Sequence, residues 1–114
     1  MIQCKDITKT TIFFQKCFNE FIKQVPKMTI VETLRTLDRQ KYLVATKKSK
    51  TLKSNHLFGR ACDLVPTLKG YNTPLNEWIT FHDKWDAIVT KFGGVPEKRI
   101  EWDYGHFGII KEPK

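Results

Sequence analysis

The stretch Ser54-Asn55-His56-Leu57-Phe58-Gly59-Arg60-Ala61-Cys62-Asp63 sets a histidine close to an aspartate, with small residues between them. The chain has only three histidines: His56, His82 and His106. His56 and His106 together with Asp63 make an N/N/O donor set suited to zinc. Three protein ligands and one open position is the arrangement of a catalytic zinc rather than a structural one. A plainer account fits too: Asp63 caps or pairs locally, and both histidines are ordinary polar residues. Spacing alone leaves both accounts open. Asp103 precedes His106 by three residues and brings a second carboxylate near such a site. It suits a group that takes a proton from water and passes it to a leaving amine, although turn aspartates are common. Arg35 suits a grip on a substrate carboxylate or an oxyanion; taken alone, it reads as a surface charge. His82 falls among apolar helix positions and reads as a core histidine. Cys62 should point away from Asp63 on a regular strand, into the core.

These residues need elements to place them. Phe13, Cys17 and Phe21 recur at helical spacing, as do Phe14, Phe18 and Ile22, which predicts a helix over Thr10 to Val25 ended by Pro26. Met28 to Leu34 is β-rich and reads as a strand. Thr36 caps a short helix through about Lys47, with Leu37, Val44 and Leu43 turned inward. Lys47 to Lys53 reads as an exposed basic loop. Arg60 to Leu64 reads as a strand that ends near Pro66, with Ala61, Asp63 and Val65 on one side. Gly70 to Thr73 is a turn, and Thr73-Pro74 reads as a cap followed by a proline in the first helical position. The next helix carries Trp78, Phe81, His82, Trp85, Ile88, Val89 and Phe92 on one broad face and stops at Gly93-Gly94. Arg99 to Trp102 and His106 to Ile110 read as two strands around a turn at Asp103-Tyr104-Gly105. The predicted class is α+β, with helices packed on a small, largely antiparallel sheet.

Composition bounds the answer. With 114 residues, one domain over 1–114 is expected, and 40% hydrophobic residues exclude a disordered composition. No stretch reaches the ~20 apolar residues of a transmembrane helix. The N-terminus carries no signal-peptide pattern, so synthesis in the cytoplasm is expected. Cys4, Cys17 and Cys62 have no Cys-x-x-Cys spacing, which suggests reduced thiols and argues against a cysteine-rich zinc site. The formal net charge of +8 draws polyanions, whether nucleic acid, an anionic membrane face or an acidic wall polymer. It also serves solubility alone.

The pattern S-x-H-x-x-G-R-A-x-D, here Ser54, His56, Gly59, Arg60, Ala61 and Asp63, is followed by D-x-x-H, here Asp103 and His106. Together they resemble the VanY-like zinc peptidases. This is the family of D-alanyl-D-alanine carboxypeptidases and L-alanyl-D-glutamate endopeptidases, including phage endolysins, and it shares a fold with D-Ala-D-Ala dipeptidases and the hedgehog signalling domain. Arg35-Thr36 with Gln40 resembles the family's R-(T/S)-x-x-x-Q segment. The resemblance runs from about Met28 to Ile110. It implies a single zinc ion held by His56, Asp63 and His106, with Asp103 as the catalytic acid/base. It further implies that Arg35 binds substrate or stabilises the tetrahedral intermediate, and that Ser54 lies near the metal and the substrate. Two departures stand out: many members read H-F-E where this chain has His106-Phe107-Gly108, and many carry a Gly-Gly-Asp-Trp segment before D-x-x-H.

The function implied is zinc-dependent hydrolysis of peptidoglycan stem peptides, with L-alanyl-D-glutamate endopeptidase activity first and D-alanyl-D-alanine carboxypeptidase activity second. Small size favours a monomeric endolysin-type lytic enzyme that meets the wall after release from the host cytoplasm. A basic nucleic-acid-binding domain is the alternative from another class. No helix-turn-helix or RNA-recognition signature supports it, so no nucleic-acid partner is expected.

Overall fold

Thr11 and Thr36 open the first two helices for the same reason. Each has extended backbone, and each hydroxyl accepts a backbone N–H three residues on, from Phe14 (3.1 Å) and Arg39 (3.2 Å) respectively. The computed structural model describes residues 3–49 and 54–113. Along the chain run α1 (Ile12–Gln24), β1 (Met28–Glu32), α2 (Leu37–Ala45), β2 (Ala61–Pro66), α3 (Leu75–Lys91), β3 (Val95–Pro96) and β4 (His106–Lys111). The strands form one antiparallel sheet in the order β1-β2-β4-β3. The α+β class expected from the sequence is the class observed.

The sheet has two different faces, and the pleat decides which residue goes to which. Cys62 lies opposite Phe107, and Asp63 lies opposite His106. Cys62, Leu64, Phe107 and Ile109 are fully buried in the core, against the apolar sides of α1 and α3. Phe14 and Phe21 of α1, Trp85 of α3 and Phe107 of β4 form its centre, with ring centroids 5.2 to 6.0 Å apart. Burying a side chain of this size contributes about 1.5–3 kcal/mol each, so this face anchors the sheet. The residues beside Cys62 and Phe107 on their strands, Asp63 and His106, are thereby presented on the opposite face.

Several expectations are corrected. Arg99 to Trp102 is not a strand: Val95–Pro96 pairs with β4 instead, and only an isolated bridge joins Ile100 to Asp103. A strand has two edges, and those of β4 are taken by β2 and β3. Leu37 is half exposed; Gln40 and Leu43 are the buried residues of α2. Thr73 does not cap α3, since its hydroxyl donates to the Gly70 carbonyl (2.7 Å) and Pro74 stands at the cap position. The strand read as reaching Leu34 ends at Glu32. Of the Lys47 to Lys53 loop, residues 50–53 lie outside the described residues. No helix among the described residues is long and apolar enough to cross a membrane.

Candidate metal centre

His56 is set by a short 3-10 turn, Asn55–Phe58, just before β2. Ser54 caps the turn, its hydroxyl accepting the His56 N–H at 3.2 Å. Gly59 closes it with φ of 66°. A Cβ there would lie 3.0 Å from the Lys9 carbonyl oxygen and 3.2 Å from Thr10 Cα, so glycine satisfies both the left-handed backbone and the close approach. The imidazole is buried, and its Nδ1 lies 2.7 Å from the Thr33 carbonyl oxygen. A carbonyl only accepts, so the proton is on Nδ1 and Nε2 is left as a donor atom for a ligand.

Asp63 and His106 come from facing positions of β2 and β4. Asp63 Oδ1 lies 3.1 Å from His56 Nε2 and 3.5 Å from His106 Nδ1. One donor atom from each of the three residues falls within 4.8 Å of the others. A tetrahedral zinc ion with bonds of about 2.0–2.1 Å wants its ligand atoms roughly 3.3 Å apart. The donor types and both measured separations fit that ion. His56, Asp63 and His106, singled out by their spacing in the sequence, are therefore brought together as a group able to bind a metal.

The electrostatics follow from this crowding. Burial by itself would raise the Asp63 carboxyl, but hydrogen bonds from His106 and His56 override it and hold the group far below the usual carboxylate range. Burial by itself would lower the His106 imidazole; the carboxylates of Asp63 and Glu97 outweigh that and push it up to about 10.

Asp103 reaches the same place through a tight turn. Its N–H donates to the Ile100 carbonyl at 2.9 Å, and its own carbonyl accepts the His106 N–H at 3.1 Å. Its side chain lines a cleft of about 860 Å³ that also contains the three histidine and aspartate donors. Burial, and next the charge of Asp63, push the Asp103 carboxyl above its ordinary value. The cause is common to both effects: a buried carboxyl beside another carboxylate holds its proton more readily than an exposed one.

Arg35 is buried, where the sequence taken alone suggested a surface charge. Its Nη2 donates to Glu32 Oε1 at 2.7 Å and reaches Asp63 Oδ2 at 3.4 Å, while Nη1 donates to Gln40 Oε1 at 2.8 Å. Glu32 also accepts from Arg39 Nε at 2.5 Å. The Arg35-Thr36-x-x-x-Gln40 segment thus has a physical logic: Thr36 starts α2, and Gln40 in its next turn holds the guanidinium. Ser54, also on the cleft wall, has its hydroxyl engaged in capping the His56 turn.

Two acids escaped the sequence reading. Glu32 lies opposite Asp63 at the end of β1, and Glu97 follows β3 with its Oε1 at 2.7 Å from His106 Nε2. A signal for the second was present. Gly108 interrupts an apolar strand, and a glycine there marks a place where another group comes close. His82, read as core, is buried, stacks on Phe107 with centroids 4.2 Å apart, and has Nε2 2.7 Å from the Tyr104 carbonyl oxygen.

The chain is similar in structure to Serratia marcescens L-Ala D-Glu endopeptidase ChiX, known from its crystal structure. The match has a TM-score of 0.75 and 24% sequence identity, and covers 90% of this chain and 82% of that one. It shows a shared fold. No protein-family model matches the sequence, and no curated protein matches it.

Proposed function

We propose that this protein is a zinc-dependent peptidase that hydrolyses peptidoglycan stem peptides, cutting the L-alanyl-D-glutamate bond. The observation that carries the reading is the convergence of His56, Asp63 and His106 beside Asp103 in one cleft, on a fold shared with an L-Ala D-Glu endopeptidase. His56 Nε2, Asp63 Oδ1 and His106 Nδ1 would hold one zinc ion. The ion would supply Lewis acidity for the scissile carbonyl and lower the pKa of a water toward ~7.

The protein's own groups do the rest. Asp103 accepts the water's proton as the water oxygen bonds to the carbonyl carbon. It then delivers that proton to the amide nitrogen as the C–N bond breaks, releasing a carboxylate and an amine. Arg35, held rigid by Glu32 and Gln40, lends positive charge to the oxyanion from the cleft wall. Ser54 keeps the His56 turn in place beside the substrate. Arg35, Arg39 and Lys48 line the cleft and offer partners for the carboxylates of a stem peptide, and Tyr71 and Trp102 supply apolar surface. The reading extends to a monomeric, endolysin-type lytic role at the bacterial wall.

The test is mass spectrometry of purified peptidoglycan digested by the zinc-loaded protein, with Asp103→Ala and a chelator as controls. New L-Ala carboxyl ends and D-Glu amino ends are expected. Asp103→Ala should keep its zinc and lose about 10²–10⁴-fold in rate, the usual worth of a general acid/base. Release of single D-Ala would turn the reading to a carboxypeptidase, and intact peptidoglycan with zinc bound would overturn it.

A further inference from the structure

His106 has two ring nitrogens, and the two face different carboxylates. Nδ1 faces Asp63 Oδ1 at 3.5 Å, and Nε2 lies 2.7 Å from Glu97 Oε1. We propose that Glu97 is a positioning residue for the metal. On this assignment its carboxylate accepts the Nε2–H of His106, fixes the tautomer that leaves the Nδ1 lone pair for the ion, and makes that ligand a stronger donor. The proposal rests on the metallopeptidase reading and extends it beyond the three ligands.

Three observations build the clamp. Glu97 is fixed from the backbone, because its N–H donates to the Gly108 carbonyl at 3.0 Å. Its carboxylate is fixed from the side, because Asn55 Nδ2 donates to the same Oε1 at 2.8 Å. Asn55 precedes His56, so one carboxylate ties the turn carrying the first histidine to the strand carrying the second. Finally, the space exists only because residue 108 is glycine: a Cβ there would lie 2.1 Å from Glu97 Oε1. The two histidines are also pinned differently. His56 gives its outer N–H to a neutral carbonyl, that of Thr33, whereas His106 gives its own to an acid. An ionised acceptor makes the stronger hydrogen bond and pushes more electron density onto the imidazole.

The experiment is competition for zinc between the metal-free protein and a chromophoric chelator, with wild type, Glu97→Ala, Glu97→Gln and Gly108→Ala. It is joined to 15N NMR of the histidine rings in zinc-loaded wild type. Glu97→Ala should weaken zinc binding by about 10–100-fold, the usual effect of losing such a partner. Glu97→Gln keeps an acceptor oxygen and should lose less. Gly108→Ala leaves every ligand and Glu97 itself in the sequence, yet should approach the Glu97→Ala loss by displacing the carboxylate. The NMR spectrum should show His106 protonated on Nε2. Glu97→Ala and Gly108→Ala proteins that hold zinc like wild type would overturn the proposal, as would a His106 ring metallated through Nε2. If Glu97→Ala does not fold, Glu97→Gln and the wild-type spectrum decide. Wild type that takes up no zinc would sink the metallopeptidase reading itself; unaltered zinc binding in the variants sinks the role of Glu97 alone.

Discussion

Asp63 carries the site's electrostatics. Its Oδ1 faces both histidines, and Arg35 approaches its other oxygen. Without metal, that arrangement holds a proton on His106, whose pKa is pushed up to about 10. The sign of the pH dependence follows. A histidine raised in the folded state stabilises the metal-free fold fully below its unfolded value of ~6.5, and the benefit is lost as pH rises through about 10. A depressed carboxyl such as Asp63 stabilises above its unfolded value of ~3.9, and that contribution is lost as pH falls further. Zinc binding runs the other way from His106, because the ion must displace the proton. We expect zinc uptake at neutral pH to release about one proton from His106, and affinity to rise roughly tenfold per pH unit up to the His106 pKa. Calorimetry in two buffers of different ionisation enthalpy checks this; zinc binding with no proton release would contradict the assignment.

At the scale of elements, α3 both builds the core and holds the turn that bears Asp103. His82 is the link, stacked on Phe107 and bonded through Nε2 to the Tyr104 carbonyl beside Asp103. Burial pushes its imidazole below the ordinary value, so the folded state favours the neutral ring. His82→Ala should destabilise the fold by about 2–4 kcal/mol, as a buried aromatic and a hydrogen bond are lost together. Zinc should remain bound, because the ring stacks on Phe107 and bonds to Tyr104, neither of them a ligand. Denaturant unfolding and metal analysis of the same samples check the pair of outcomes; a folded His82→Ala protein without metal would place the ring in the site.

For the molecule as a whole, the formal net charge of +8 acts at long range. Such a field raises the encounter rate with an anionic polymer but does little for a bond already seated in the cleft. Raising ionic strength from about 0.01 M to about 0.15 M shortens the Debye length from ~30 to ~8 Å. Over that range we expect binding to sedimented cell walls to fall steeply, while hydrolysis of a short soluble stem peptide changes by less than about twofold. Parallel pull-down and peptide assays read this directly. Equal losses in both would mean that the charges act inside the cleft.

The sequence by itself determined the local pieces: the helix periodicities, the Thr36 cap, the alternation that turns Asp63 away from Cys62, and the spacing that marked His56, Asp63, Asp103 and His106. These are legible because they depend on neighbours a few residues apart, or on a pattern of side-chain types. Tertiary structure decided what depends on register across the sheet. It set Asp63 opposite His106 and Glu32 opposite Asp63, and it turned Arg35 from an apparent surface charge into a buried, three-partner guanidinium. It also overruled the alternating pattern of Arg99 to Trp102, because both edges of β4 were already paired. Glu97 was missed for a related reason: Gly108 signalled that some group comes close, but Glu97 itself sits in a polar segment without periodicity. Only the pairing beside Gly108, with no side chain to fill the space, lets its carboxylate reach His106.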